Sequence, residues 1–196
     1  MGERTTEERE RVLRTLARGG FVAPGAEADA LLQASSEGVG PIEDLVARRL
    51  RVRVDRGVFV PRPHTEALAR RAVELLPAAG IAVDLCTGSG AMGVVLGSAR
   101  PRASVAATDL DPVAVACAQR NGVHALLGDL DEPLPLSLRE RVDVLTAVVP
   151  YVPTEELHLL PSDVVANEPR LALDGGRRGT AVLLRAAEAA ARWLRP

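Results

Sequence analysis

The sequence predicts a doubly wound α/β fold on a mostly parallel sheet, and three observations carry that expectation. From Gly80 onward, short apolar runs alternate with helical stretches, a glycine-bearing turn joins the first run to the next helix, and acidic residues stand at the ends of successive runs. The chain has 196 residues, room for one full domain with a short appendage.

The first 50 residues read as a small helical appendage, and residues 51–196 as the α/β domain. Thr5 and Glu8 have capping-box spacing, Val12, Leu13 and Leu16 share a helical face, and Gly19-Gly20 supplies the stop. Shorter helical stretches follow at 27–34 and 42–50, split by a Gly-rich turn. From Arg51 the period changes to two: Val52 and Val54, then Asp55-Arg56-Gly57, then Val58 and Val60, a hairpin signal. Pro61-Arg62-Pro63 ends it and leads into a helix carrying Leu68, Val73, Leu75 and Leu76 before Pro77. Beyond it, strands are expected at 81–85, 104–107, 123–127 and 142–149, with helices at 91–99, 112–120 and 180–194 between or after them. Pro112 stands in a first turn and Asn121-Gly122 at a helix end, as their backbone preferences dictate.

Composition excludes several classes. Hydrophobic residues make up 47% and charged ones 26%, with no uncharged apolar run of membrane-spanning length. All 24 basic residues are Arg, and against 26 acids they leave a net charge of -2, which disfavours general nucleic-acid binding. Cys86 and Cys117 cannot form a disulfide framework, and with three scattered His they offer no metal-site spacing. The charged N-terminus lacks a secretory signal, so a reducing cytoplasm is expected.

Residues 84–90, Asp-Leu-Cys-Thr-Gly-Ser-Gly, fall between a strand and a helix, where glycines let a ligand approach the backbone and the helix N-terminus offers free N–H groups. Asp109 ends the next strand, placed to accept hydrogen bonds from both hydroxyls of a ribose, and Asp129 closes the third strand. Gly88, Gly90 and Gly93 also satisfy the dinucleotide fingerprint, so a nicotinamide cofactor and S-adenosylmethionine are both open on the loop alone. Asp84, at the strand end, favours the methyl donor.

Taken together, the motifs resemble the HemK/PrmC-type protein-glutamine N5-methyltransferases. They are Gly57 to Glu66, Asp84 to Gly90, Asp109-Leu110-Asp111-Pro112, Gly128-Asp129-Leu130, Val148-Val149-Pro150-Tyr151-Val152-Pro153, and Glu168 to Gly176. The resemblance implies a Rossmann-like class I methyltransferase fold, S-adenosyl-L-methionine as cofactor, and the Gly-Gly-Gln loop of a peptide chain release factor as substrate. It places the cofactor at Asp84, Cys86, Thr87, Gly88, Ser89 and Gly90, the ribose at Asp109, and the adenine beside Asp129 and Leu130. The family motif Asn-Pro-Pro-Tyr, which holds the substrate amide through the Asn side chain and the next backbone carbonyl, would fall on Val148, Val149, Pro150 and Tyr151.

Two departures stand against the family pattern. Val148 cannot accept a hydrogen bond, and leaving one buried amide N–H unpaired costs ~1 to 3 kcal/mol, which predicts impairment rather than abolition. The chain also stops at Pro196, where a fifth strand would begin, so the fourth strand is expected at a sheet edge open to a partner. A non-catalytic paralogue binding through that edge, or an adenine N6-methyltransferase sharing the Asn-Pro-Pro-Tyr logic, are the competing readings. Arg48, Arg49, Arg51, Arg53, Arg56 and Arg62 read as a basic face, solvated or docking a partner, and His64 as a surface residue.

Overall fold

Four parallel strands, β1 (Ile81–Leu85), β2 (Ser104–Asp109), β3 (His124–Leu127) and β4 (Val144–Ala147), lie in the order β3-β2-β1-β4. The structure is a computed structural model that describes residues 52–196 and Glu10; the appendage expected over 1–50, Glu10 aside, and Arg48, Arg49 and Arg51 lie outside the described residues. Val52–Pro196 is a compact unit of its own. Its helices are α1 (Thr65–Leu75), α2 (Ala91–Ala99), α3 (Pro112–Arg120), α4 (Ser162–Asn167), α5 (Arg170–Leu173) and α6 (Ala181–Trp193), with 3₁₀ turns at Leu136–Leu138 and Thr154–Leu159.

Sequence alternation decides what each strand face meets. In β1, Val83 and Leu85 point to a core built with Ala186, Ala189 and Trp193 of α6, while Ala82 points to Ala72, Leu76, Met92 and Leu96 from the α1 and α2 side. Ala107 of β2 and Ala125 of β3 pack on Val115 and Ala118 of α3. Helices thus cover both faces, as parallel strands require, because each crossover carries an element back over the sheet. Asp111 caps α3 by accepting from the Val113 N–H at 2.8 Å, Pro112 takes its first turn, and Gly122 at φ 81 closes it in the left-handed region.

Three expectations need correction. No hairpin forms over 52–60: only the turn bond from the Val58 N–H to the Asp55 carbonyl (3.1 Å) is made, and the segment is otherwise irregular. The Asn121 side chain replaces a partner strand, accepting from the Arg53 N–H at 3.0 Å and donating to the Arg53 carbonyl at 2.7 Å, while Val58 buries against Ala114 and Cys117. The third strand ends at Leu127, two residues before Asp129. β4 is shorter than the apolar run 142–149, since Val148 and Val149 leave the sheet. Among the described residues it is the last strand of the sheet on that side, and the Val142 N–H donates to the Trp193 carbonyl (3.1 Å) and the Arg195 N–H to the Val142 carbonyl (3.0 Å), adding one parallel bridge between Val142 and Leu194.

Candidate active site at the carboxyl ends of the strands

The 86–90 turn is bent by three left-handed residues, Cys86 at φ 54, Gly88 at φ 56 and Gly90 at φ 81. Gly90 has a steric reason to lack a side chain: a Cβ there would stand 3.0 Å from Ala118 and Val123. At Gly88 the nearest atom to a Cβ would be the Phe59 carbonyl oxygen at 4.0 Å, so its bare backbone faces open space. The Thr87 N–H donates to the Thr108 carbonyl (3.0 Å), and Asn121 donates to the Ser89 carbonyl (2.7 Å), fixing both ends of the turn. Cys86 is half-buried, and burial pushes its thiol up to about 12, which leaves it a packing group and not a nucleophile.

Asp84 is buried at the end of β1, accepting from the hydroxyls of Thr87 (2.6 Å) and Thr146 (2.7 Å). Burial pushes its carboxyl up to about 6, against the opposing pull of those two hydroxyls. The folded protein therefore holds this proton more tightly than the unfolded chain, so the stability it contributes is present below about pH 4 and is lost as pH rises through about 6. Asp84→Asn is expected to melt ~5 °C or more above the parent at pH 8 without ligand. The two should converge near pH 4 in thermal denaturation followed by circular dichroism; equal melting at pH 8 would contradict an ionised, buried Asp84.

Asp109 ends β2 with both carboxylate oxygens turned to backbone, Oδ2 accepting from the Gly88 N–H at 2.8 Å and Oδ1 from the Asp111 N–H at 3.0 Å. Burial raises its carboxyl above the usual range, partly offset by those N–H groups. Asp129 lines the same cavity, but its carboxylate accepts from the Arg185 guanidinium of α6 at 2.8 Å. Leu130, at φ 48, reaches the cavity and also packs in the core beside Leu85 and Trp193.

After β4, Val148 and Pro150 enter the cavity lining, joining Asp84 and Asp109 in one space. Val149 turns its side chain into the core, and Tyr151, 56% exposed, is not among the residues that line the cavity. The backbone here is clamped by residues 173–179. The Val152 N–H donates to the Leu173 carbonyl (2.9 Å), the Gly175 N–H to the Val152 carbonyl (2.8 Å) and the Thr154 N–H to the Gly176 carbonyl (3.0 Å). Asp174 locks the corner by accepting from the Thr154 hydroxyl at 2.7 Å and the Gly176 N–H at 3.0 Å, which hold its carboxyl below the usual range. The close approach demands glycine: a Cβ on Gly179, at φ 69, would lie 2.2 Å from the Tyr151 carbonyl oxygen. Gly179→Ala is expected to cost ~2 kcal/mol or more, measured as a lowered urea midpoint.

The cavity has walls that sequence reasoning did not assign. Phe59 and Pro61 come from the segment before α1 and Thr65 from its first residue, Leu110 and Asp111 from the turn after β2, and Pro169, Leu171 and Ala172 from the α5 region. All of these fall inside stretches quoted for the resemblance; Arg185 had no signal at all. His64 is exposed at the start of α1, as expected. Arg62 is not part of a free basic face, because it pairs with the buried Glu168, and Arg53 and Arg120 both pair with Asp55.

No family model matches the chain. Among curated proteins, the release factor glutamine methyltransferase of Mycolicibacterium smegmatis is 40% identical over 166 residues, covering 79% of this chain and 58% of its own length. Those of Moorella thermoacetica and Geobacter sulfurreducens are 41% and 38% identical, covering 65% and 64% of this chain and 47% and 45% of their own lengths. The chain thus spans about half the length of the curated relatives it matches. Among solved structures, the hMettl16 catalytic domain in complex with MAT2A 3'UTR hairpin 6 superposes with a TM-score of 0.54 at 13% identity, covering 75% of this chain and 59% of that one. Sheet order, the turn after β1 and these likenesses agree: the chain is similar to the release factor glutamine methyltransferases over about half of their length, and its fold is the Rossmann-like class I methyltransferase fold.

Proposed function

We propose that the chain binds S-adenosyl-L-methionine at the carboxyl ends of β1 and β2 and transfers its methyl group to the N5 amide nitrogen of a protein glutamine, in a peptide chain release factor. One observation carries this reading: Asp84 and Asp109 line the same cavity as Val148 and Pro150, which bring the substrate motif to the cofactor motif.

The residues present fit the cofactor. Gly88 leaves bare backbone facing the cavity, and the buried Ser89 hydroxyl has no hydrogen-bond partner among the described residues. Each Asp109 oxygen keeps acceptor capacity beyond its backbone bond, which suits two neighbouring ribose hydroxyls. Bound there, S-adenosylmethionine supplies a methyl group made electrophilic by its sulfonium.

The chain's own residues then have one task, positioning. An amide nitrogen is a weak nucleophile, so acceptors must fix its two N–H groups in line with the methyl. The Val149 carbonyl supplies one acceptor, just before the segment clamped at Val152 and Thr154, and Val148 leaves the other place apolar. No side chain is required as a base.

The test is methyl transfer. Incubation with S-adenosylmethionine and a purified bacterial release factor should add one methyl to the Gln of its Gly-Gly-Gln peptide, read by mass spectrometry, and a Gln→Ala release factor should stay unmodified. No transfer by protein that binds the cofactor would refute the substrate assignment.

A further inference from the structure

The Glu168 side chain is fully buried, yet nothing in the proposed chemistry uses it. Its Oε2 accepts from the Arg62 guanidinium at 2.9 Å and its Oε1 from the Val60 N–H at 3.4 Å. Arg62 in turn lies over the Phe59 ring, 4.6 Å from the centroid. These contacts meet a segment outside the regular elements, where the Arg62 carbonyl also accepts from the Thr65 N–H at 3.0 Å. Residues 59–62 belong to no helix or strand, yet Phe59 and Pro61 form a wall of the cavity, and the Phe59 carbonyl is what faces Gly88. Glu168 itself is set by the end of α4, where its N–H donates to the Val164 carbonyl at 2.9 Å, and Pro169 after it lines the cavity from the other side.

We infer that Arg62 and Glu168 are a positioning pair that latches the 59–62 strip against the end of α4 and thereby sets the Phe59 and Pro61 wall of the cofactor pocket. The pair's chemistry suits that task. A carboxylate accepting from both a guanidinium and a backbone N–H fixes side chain and main chain at once, and a buried charge pair holds its geometry because separating it strands a charge. Stacking on Phe59 carries the constraint to the ring that lines the cavity. The inference rests on the cofactor reading above for what the wall contacts, and on geometry alone for what the pair holds.

The experiment uses the full chain with Glu168→Gln and Arg62→Met, each followed by hydrogen exchange without ligand and by calorimetric titration with S-adenosylmethionine. In both variants the amides of Phe59, Val60 and Arg62 should exchange at least tenfold faster while those of β1 and β2 keep the parent rates, and cofactor affinity should fall at least tenfold. Unchanged exchange at 59–62 in either variant overturns the latch. So does acceleration spread evenly over the strip, β1 and β2, which would mark the pair as general stability only. Local acceleration with affinity within twofold of the parent would also overturn it, as the strip would then not set the pocket. If the parent protein fails to bind S-adenosylmethionine, the cofactor reading falls, and the exchange rates alone still decide whether the pair holds the strip.

Discussion

Asp109→Ala is expected to weaken S-adenosylmethionine binding by roughly tenfold to hundredfold, the equivalent of losing ~1.5 to 3 kcal/mol of charge-assisted hydrogen bonding. The geometry gives two reasons for so large an effect. In the proposed site the carboxylate accepts from the ribose hydroxyls, and in the structure it holds the Gly88 and Asp111 N–H groups, so its removal loosens the turns after β1 and β2 together. Asp109→Asn should fall between, since it keeps one carbonyl oxygen but loses the charge and one acceptor. Calorimetry checks both, and unchanged affinity in Asp109→Ala would remove the cofactor assignment.

Val148→Asn should raise the methyl-transfer rate onto a release-factor glutamine tenfold to hundredfold while leaving cofactor affinity within about twofold. The magnitude follows from satisfying one buried amide N–H, ~1 to 3 kcal/mol, at about 1.36 kcal/mol per decade of rate. Val148 is half-buried and lines the cavity where β4 has left the sheet, so a polar side chain there does not enter the core. Single-turnover transfer measured with bound cofactor separates this from binding. No gain would mean that the acceptor is not held as an amide at Val148 and Val149.

Much of this architecture was legible in the sequence, and the parts that were not have physical reasons. β1, α2 and α3 could be read residue for residue because a buried parallel strand, a glycine turn and an Asp-Pro cap are local signals. No hairpin forms at 52–60 because alternation reports an extended chain, not its partner: here Asn121 and the Val58 packing site satisfy it. Cys86 takes a left-handed φ of 54, a conformation that favours glycine and that no local residue pattern announces. The clamp by residues 173–179 fixes the backbone around Val152 and Thr154, and the exposed Tyr151 side chain is not in the cavity lining, a placement set by contacts remote in sequence. Arg62 was counted as surface charge because its partner lies 106 positions away, a distance across which sequence patterns carry no pairing information.

The unit Val52–Pro196 is expected to assemble a working cofactor pocket. Titrating the purified chain with S-adenosylmethionine in a calorimeter, after gel filtration and circular dichroism establish that it is folded, tests this most directly. Saturable binding at one site, abolished or strongly weakened by Asp109→Ala, is the predicted result; a folded protein that takes up no S-adenosylmethionine would contradict it.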